Sequence, residues 1–282
     1  MPELPEVENT RRNLVRAGLP GCAITSAEIT WANTVKKPSA AELAVGLKNR
    51  TIQDVQRRGK YLVFPLSGSE PVNFIVHLGM TGRLLVQPQS QEPDPLTRHS
   101  FPLDDGRELR FVDGRKFGKL WLVDSPAEVL PAMSPEPFDD QFTVETLAES
   151  FAGKKAPVKA LLLDQSIACG LGNLYADESL FLAGLHPERP ASGLSIDEVA
   201  RLFGKSAQFG SQGGQQEPIV LYTLCHQTHA LLAKADPQFG LREHLEEIGH
   251  RAGEADFDNP SGHRADIADL GEVEAKRRAL QL

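Results

Sequence analysis

A proline-rich stretch at residues 125–138 divides this 282-residue chain into two parts of different character. Upstream, short apolar segments are separated by glycine and proline, which is typical of β-strands joined by turns. Downstream, the apolar spacing is that of helices. This order predicts an α+β, multidomain chain in which a β-rich domain precedes a helical one.

The upstream part, residues 1–125, is predicted to be a mostly antiparallel β-sandwich, barrel-like in form, with a helix attached at its start. The helix is expected over residues 5–17 and ends at Gly18. Asp105-Gly106 predicts a hairpin turn, because this pair tolerates positive φ. The predicted strands are Ala23–Ile29, Ile52–Val55, Tyr61–Leu66, Phe74–Leu78, Leu84–Val86, Phe101–Leu103, Glu108–Val112 and Lys119–Val123.

The helical part is predicted over residues 141–205, after a linker at residues 126–140. Ser195 and Glu198 form a capping box before the last helix. Gly170 and Gly172 lie between two helices, where backbone N–H groups can point at an anion such as phosphate. The predicted helices are Val144–Phe151, Val158–Asp164, Leu174–Ala183 and Ile196–Phe203.

Composition favours a globular protein of a reducing compartment. Apolar residues make up 40% of the chain and charged residues 24%, which is an average balance. No apolar run approaches the length of a membrane span, and the acidic start differs from a signal peptide. The three cysteines form no Cys-x-x-Cys pair, so a cytoplasmic location is expected rather than a disulfide framework.

The formal net charge of −8 argues at first against a nucleic-acid partner. The acidity is concentrated at the end, because residues 206–282 carry 12 acidic and seven basic side chains. The basic clusters lie upstream, where they can form one electropositive face. They are Arg11-Arg12, Arg57-Arg58-Lys60, Arg115-Lys116-Lys119 and Lys154-Lys155-Lys159.

The chain begins Met-Pro-Glu-Leu-Pro-Glu-Val-Glu. Removal of Met1 would leave Pro2 with a free amine, and α-amino groups have a pKa of roughly 7.7–8.0. A modest lowering of that pKa supplies a nucleophile that forms Schiff bases with carbonyl carbons. The alternative is structural, with Pro5 in the first turn of a helix and glutamates at its positive end. Taken alone, the structural interpretation is favoured.

Five stretches, in order, resemble the bacterial formamidopyrimidine-DNA glycosylase family over residues 1 to about 204. The first is the N-terminal octapeptide. The others resemble the family's catalytic-lysine hairpin, its strand with a methionine wedge, its intercalation loop and its helix–two-turns–helix DNA clamp, at Arg57–Leu62, His77–Gly82, Asp113–Gly118 and Gly170–Glu178. Gly114 and Lys116 stand where the family more often has proline and a second arginine. Any one stretch is a weak signal, but five at domain-scale spacing are specific.

The resemblance implies catalytic roles for four residues. Pro2 would attack the sugar C1′ and expel the damaged base, after which β- and δ-elimination would cut the strand. Glu3 would be the acid/base group, Glu6 would support the site, and Lys60 would contact phosphate or the base. The structural alternatives are helix-start carboxylates for Glu3 and Glu6 and a solvated side chain for Lys60.

The resemblance also implies DNA contacts. Met80, Arg115 and Phe117 would fill the space left by a flipped nucleotide, with core packing as the alternative for Met80 and Phe117. Asn173, with backbone donors that include Gly172, would bind phosphate or cap the following helix. The further predicted DNA contacts are His99, Lys155 and Lys159.

Residues 206–282 depart from the family, whose members usually end in a four-cysteine zinc hairpin. No such pattern is present, and the spacing of Cys225, His226 and His229 matches no common zinc site. No metal or other cofactor is therefore predicted. We hypothesise that a reading-frame change near codon 205 produced this divergent acidic tail, and a four-cysteine pattern in an adjacent frame would support that origin.

The predicted function is that of a bifunctional DNA glycosylase and AP lyase, acting as a monomer on damaged double-stranded DNA. It would excise oxidised purines, namely 8-oxoguanine and formamidopyrimidines. One alternative is a non-catalytic or impaired damaged-DNA-binding protein of the same fold. The other is an oxidised-pyrimidine glycosylase of the same superfamily, although those proteins tend to begin Pro-Glu-Gly-Pro-Glu.

Overall fold

The computed structural model describes residues 1–68, 72–130 and 133–211. Residues 206–211 belong to a helix that continues past the predicted end of the helical domain. The other predictions for the tail, including the missing zinc hairpin and the reading-frame change, lie outside the described residues.

Within the described residues the chain forms six α-helices and eleven strands. The helices are α1 (Leu4–Arg16), α2 (Ala40–Leu47), α3 (Val144–Phe151), α4 (Val158–Leu162), α5 (Asn173–Ala183) and α6 (Ile196–Ser211). The strands are β1 (Ala23–Ile24), β2 (Glu28–Ile29), β3 (Val35–Lys37), β4 (Arg50–Thr51), β5 (Gln56–Arg58), β6 (Tyr61–Leu66), β7 (Val72–His77), β8 (Arg83–Pro88), β9 (Thr97–Pro102), β10 (Arg107–Val112) and β11 (Lys119–Val123).

Two larger sheets form the β-rich part. Their strand orders are β2-β9-β10-β8 and β3-β11-β7-β6-β5, while β1 pairs with β4. The pairings are antiparallel except for that of β3 with β11. Both sheets contribute to one apolar core, in which the ring of Phe74 lies 5.3 Å from that of Phe101 in the other sheet. The predicted antiparallel sandwich with a helix at its start is confirmed.

A second apolar core lies among α3 to α6, around residues such as Tyr175 and Leu202. Helix α5 ends at Gly184 in the left-handed conformation, which lets the chain close the last turn and leave. The predicted capping box of α6 is confirmed. The Ser195 N–H donates to the Glu198 carboxylate at 2.8 Å, and the Glu198 N–H donates to Ser195 Oγ at 3.3 Å.

Two predicted strands of the sandwich differ from the structure, and one helix there was not predicted. Residues 23–29 form two strands, β1 and β2, which join different sheets. Residues 52–55 hold no strand, because Ile52 makes only an isolated bridge to Leu66. Helix α2 lies in a region without a predicted element, although Ser39 and Glu42 form a capping box at its start. Apolar alternation does not reveal where a chain passes between sheets. Helix α2 is apolar at most of its positions and so shows no clear helical period.

Candidate active site and DNA interface

The carboxylate of Glu3 is the most enclosed acidic group near the N-terminus. Glu3 is 2% exposed and lies just before α1. It accepts three backbone N–H groups at the start of α5, from Gly172 at 2.7 Å, Leu174 at 2.9 Å and Tyr175 at 3.3 Å. Burial raises the pKa of Glu3, while the backbone donors and Lys60 oppose that rise. A buried carboxyl group with a raised pKa suits proton transfer.

Two glycines allow the N-terminus to lie this close to the helical part. A Cβ at Gly172 would lie 2.4 Å from Cδ of Glu3. A Cβ at Gly170, where φ is +89°, would lie 2.4 Å from Cδ1 of Leu4. The Leu4 N–H also donates to the Gly170 carbonyl at 3.1 Å. Only residues without a side chain fit at these two positions.

These contacts correct the prediction that backbone donors at residues 170–172 bind phosphate. The Gly172 N–H donates to Glu3 at 2.7 Å, and the Gly170 N–H donates to Gln165 Oε1 at 3.0 Å. The start of α5 is a favourable place for negative charge, but in this structure the charge it holds is the protein's own carboxylate.

Glu6 connects the same two regions. Its Oε2 accepts the Glu3 N–H at 2.9 Å, and its Oε1 accepts the Tyr175 hydroxyl at 2.6 Å. Both oxygens therefore have partners, which suits a supporting role. The structural alternative is also realised, because the Glu3 N–H lies at the start of α1.

Lys60 lies in the tight turn between β5 and β6, beside the two glutamates. It is 9% exposed, and burial lowers the pKa of its ammonium group. The negative charges of Glu3 and Glu6 oppose this lowering. Pro2 is half-buried next to Glu3. The structure thus brings the four predicted catalytic residues together and contradicts a solvated Lys60.

A buried ion pair holds the turn that carries Lys60. Arg57 donates to both carboxylate oxygens of Glu136 at 2.7 Å, and its Nε donates to Glu8 at 3.0 Å. The Gly59 N–H also donates to Glu136, at 2.6 Å. Gly59 has a φ of +54°, and a Cβ there would lie 2.8 Å from the Cys169 sulfur.

The same network corrects one expectation about the basic clusters. Burial opposes ionisation of Glu8, but hydrogen bonds from Arg11, Arg57 and Arg12 outweigh it and lower the pKa of Glu8 to about 2. Two of the predicted clusters, at residues 11–12 and 57–60, therefore have much of their charge neutralised within the protein. Glu136 adds to this neutralisation through its ion pairs with Arg57 and Arg58.

The loops that carry the predicted wedge residues interlock. Asp113 is fully buried, and its carboxylate accepts the Thr81 hydroxyl at 2.6 Å and the Gly118 N–H at 2.8 Å. A Cβ at Gly79 would lie 2.5 Å from the Phe117 carbonyl carbon, so the two backbones are in close contact. The loop at residues 113–118 is thereby fixed against the turn at residues 78–82.

The three predicted wedge side chains on these loops differ in exposure. Phe117 is 52% exposed, Arg115 is exposed and Met80 is half-buried. The guanidinium carbon of Arg115 lies 5.3 Å from the centroid of the Phe117 ring. Exposure of Phe117 contradicts the core-packing alternative for that residue.

The remaining predicted DNA contacts have different surroundings. Asn173 and Lys155 are exposed. The ammonium group of Lys159 lies 2.9 Å from the Asp177 carboxylate and so is already paired. His99 is fully buried and stacks on Phe111, with the rings 5.6 Å apart. The prediction that His99 contacts DNA is therefore wrong, because the packing of β9 on the core leaves its side chain no surface.

Three residues of the site are missing from the sequence predictions. Glu136 was hidden because its partners are distant in sequence. Tyr175 lies within the Gly170–Glu178 motif but was given no role of its own. His77 likewise opens the His77–Gly82 motif without a predicted role. Its Nδ1 accepts the Gly79 N–H at 3.1 Å. Burial, Lys119 and Lys60 lower the pKa of His77 to about 4, so it is neutral near pH 7 with its proton on Nε2.

The part of the chain that the structure describes contains no group of three or more His, Cys, Asp or Glu side chains that could hold a metal ion. Cys22 and Cys169 are buried and free. In the same part, none of the helices is both long and apolar enough to cross a membrane.

The fold and the site define a class of protein, the DNA glycosylases in which a β-sandwich precedes a helix–two-turns–helix domain. Residues 1–120 match the family model of the formamidopyrimidine-DNA glycosylase N-terminal domain. Residues 133–209 match the model of the formamidopyrimidine-DNA glycosylase H2TH domain.

Similar proteins extend this assignment. Formamidopyrimidine-DNA glycosylase of Herpetosiphon aurantiacus is 43% identical over 205 residues, covering 72% of this chain and 74% of the relative. That of Moorella thermoacetica is 42% identical over 217 residues, covering 76% and 78%. The Lactococcus lactis enzyme in complex with a Fapy-dG containing DNA superposes with a TM-score of 0.67 at 32% identity, covering 73% and 77%. The chain belongs to the formamidopyrimidine-DNA glycosylase family.

Proposed function

We propose that this protein is a DNA glycosylase and AP lyase that excises oxidised purines from double-stranded DNA. The observation that carries the proposal is the buried Glu3 carboxylate, enclosed beside Pro2 and Lys60 by the start of α5. The named relatives support the choice of substrate, and the solved Lactococcus lactis complexes contain Fapy-dG or abasic-site DNA. The protein would act as a monomer on chromosomal DNA in the cytoplasm.

The chemistry starts from the amine of Pro2, once Met1 is removed. The nitrogen attacks C1′ of the damaged nucleotide, the bond from C1′ to the base breaks, and the base leaves with a proton. Opening of the sugar ring gives a Schiff base between Pro2 and C1′. The iminium acidifies the C2′ proton, whose loss expels the 3′ phosphate; a second elimination expels the 5′ phosphate.

Glu3 is the group we assign to proton transfer in these steps. Its raised pKa allows it to hold a proton for the sugar oxygen during ring opening. Lys60, with its lowered pKa, lies where it can contact the base or a phosphate. Each of these steps uses groups of the chain, so the proposed chemistry requires no cofactor.

Met80, Arg115 and Phe117 form the surface proposed to enter the duplex. Apolar wedges and a cation between bases compensate part of the cost of unstacking a nucleotide. Exposed Asn173 and Lys155 are the proposed phosphate contacts. Lys159 can join them only by giving up its ion pair with Asp177.

Borohydride trapping on a duplex with an abasic site tests the proposal. A covalent complex is expected with correctly processed protein, because borohydride reduces the Schiff base. Pro2→Gly should abolish normal trapping, and Glu3→Gln should retain a hydrogen-bonding side chain while slowing strand cleavage at least about a hundredfold. A protein that lacks Met1 yet traps no DNA would instead favour the non-catalytic, damaged-DNA-binding alternative.

A further inference from the structure

Lys116 occupies an unusual backbone position in the loop at residues 113–118. Its φ is 61°, a region that residues with a Cβ rarely adopt unless their surroundings hold them there. Its ammonium nitrogen lies 3.8 Å from the centroid of the Trp31 ring. Lys116 is half-buried, whereas its neighbours Arg115 and Phe117 are exposed. The loop therefore directs one side chain onto the protein and the two beside it outward.

Trp31 is itself held by strand β9. The Thr30 N–H donates to the Arg98 carbonyl at 3.1 Å. The Thr34 hydroxyl donates to the Trp31 carbonyl at 2.8 Å, which leaves the His99 Nε2–H to donate to Thr34 Oγ1 at 2.7 Å. Buried His99 is thus linked to the backbone of Trp31 through the Thr34 hydroxyl.

The same strand holds the start of the loop. The Arg98 guanidinium donates from Nε to the Asp113 carbonyl at 2.9 Å. The Trp31 segment and Asp113 are consequently both anchored to β9. The contact between Trp31 and Lys116 then joins the Trp31 segment directly to the loop at residues 113–118. A cation over the face of tryptophan is attracted by the ring's negative quadrupole.

We propose that Trp31 is a positioning residue for the loop that enters DNA. By holding Lys116 over its ring, it fixes the left-handed turn that presents Arg115 and Phe117 together. This inference rests on the proposed function, because it assigns Trp31 to the filling of the space left by a flipped nucleotide. A loop that is preformed loses less conformational freedom when it binds.

A double-mutant cycle with Trp31→Leu and Lys116→Met tests this role. Both replacements keep apolar bulk and remove the cation–π contact. On a duplex that contains an oxidised purine, each single variant is expected to excise the base about threefold to thirtyfold more slowly. The double variant should be no slower than the worse single variant, because both changes remove the same contact.

A single-stranded oligonucleotide with an abasic site provides the second measurement. In single-stranded DNA a nucleotide leaves no space in a duplex that the loop would have to fill. Borohydride trapping by Trp31→Leu and by Lys116→Met should therefore equal that of the wild type. Lys116→Arg and Trp31→Phe, which each keep a cation over an aromatic face, should restore most of the excision from duplex. The unfolding midpoint of Trp31→Leu identifies any general loss of fold.

Lys36→Met is the matched control for charge. Lys36 lies near Trp31 in sequence, but its ammonium donates to the Asn33 carbonyl at 2.8 Å. This variant should excise at the wild-type rate. The opposite outcome has two parts. The losses in excision rate from Trp31→Leu and Lys116→Met would add, and Lys116→Met alone would reduce the salt dependence of DNA binding by one counterion. These results together would show that Lys116 binds phosphate and that the proposal is wrong.

Two further outcomes separate this inference from the proposed function. Normal trapping together with wild-type excision by both single variants would overturn the role of Trp31 and leave the glycosylase assignment standing. A wild-type protein without Met1 that traps neither duplex nor single-stranded abasic DNA would overturn both.

Discussion

At the scale of single residues, Gly172 decides whether the N-terminal carboxylate can reach its donors. The Gly172 N–H lies 2.7 Å from the Glu3 carboxylate. The Glu3 carboxylate also occupies the space that a side chain at position 172 would need. A Cβ there would lie 2.4 Å from Cδ of Glu3. The contact with Glu3 therefore uses two properties of Gly172, its backbone N–H and its lack of a side chain.

We predict that Gly172→Ala displaces Glu3 and lowers excision at least about tenfold, with a loss of about 1–3 kcal/mol in the free energy of unfolding. The clash involves the carboxylate itself, so a small rotation of a flexible side chain cannot relieve it without loss of a hydrogen bond. Single-turnover excision and urea unfolding measure the two effects. Gly193→Ala is the matched control, because a Cβ there meets nothing within 4 Å; wild-type excision by Gly172→Ala would contradict the assignment.

At the scale of elements, β9 connects the core of the sandwich to the loops at the proposed interface. Its His99 stacks on Phe111 of β10 and bonds Thr34 of the segment that precedes β3. Burial, with a contribution from Arg98, lowers the pKa of His99 to about 4. The ordinary value is about 6.5, so folding requires the neutral imidazole.

This pKa predicts a loss of stability in mild acid. The unfolded state binds a proton as the pH falls below about 6.5, whereas the folded state binds it only near pH 4. Stability is therefore fully present above pH 6.5 and lost between pH 6.5 and pH 4. The contribution of His99 to the loss between pH 7 and pH 5 is about 2 kcal/mol.

Urea unfolding at the two pH values measures this effect, with His99→Gln as the comparison. The glutamine variant is expected to be less stable at pH 7 but to lose about 2 kcal/mol less than the wild type on acidification. Equal pH dependence in the two proteins would contradict a buried neutral His99.

At the scale of the whole described part, the two larger apolar cores are tied together by polar contacts. One tie is Glu3 with the start of α5. The other is Glu136, in the segment predicted as a linker, which accepts bonds from Arg57 and from the Gly59 N–H at the Lys60 turn. Glu136 and Arg57 are 4–6% exposed, so this ion pair is screened little by solvent.

We predict that Glu136→Ala lowers the free energy of unfolding by about 3–5 kcal/mol, because it leaves the buried Arg57 with a reduced set of partners. The matched control is Glu128→Ala, which removes an exposed ion pair with Lys37 and should leave the urea midpoint unchanged. A Glu136→Ala midpoint equal to that of the control would show that the segment at residues 133–140 is a passive linker.

Patterns local in sequence were sufficient for much of the fold, whereas the site residues were predicted from the resemblance of five motifs to the family. The period of α1, the strands on either side of Asp105-Gly106 and the capping box of α6 each depend on neighbours a few residues apart. They were predictable for that reason. The N-terminal octapeptide and the loops of Met80 and Arg115 were likewise recognisable as short motifs.

Contacts between distant residues account for the errors. Histidine is a residue type that can contact DNA, and His99 was predicted to do so. Only the packing of β9 shows that its ring is enclosed. Arg57 has the charge of a phosphate ligand, yet Glu136, 79 residues away, neutralises it. Gly172 occupies a turn suited to phosphate, and Glu3, 169 residues away, takes its N–H group.

The sequence by itself determined the order of sandwich and helical part, because that order follows from residue type and local spacing. It also contained the five motifs whose resemblance to the family predicts Pro2, Glu3, Glu6 and Lys60 as a catalytic set. The tertiary structure decided which of the polar groups face one another. The pairing of these groups depends on desolvation and on the close approach of backbones, because a buried charge needs a partner within the fold. Spacing along the chain does not show which partner that is.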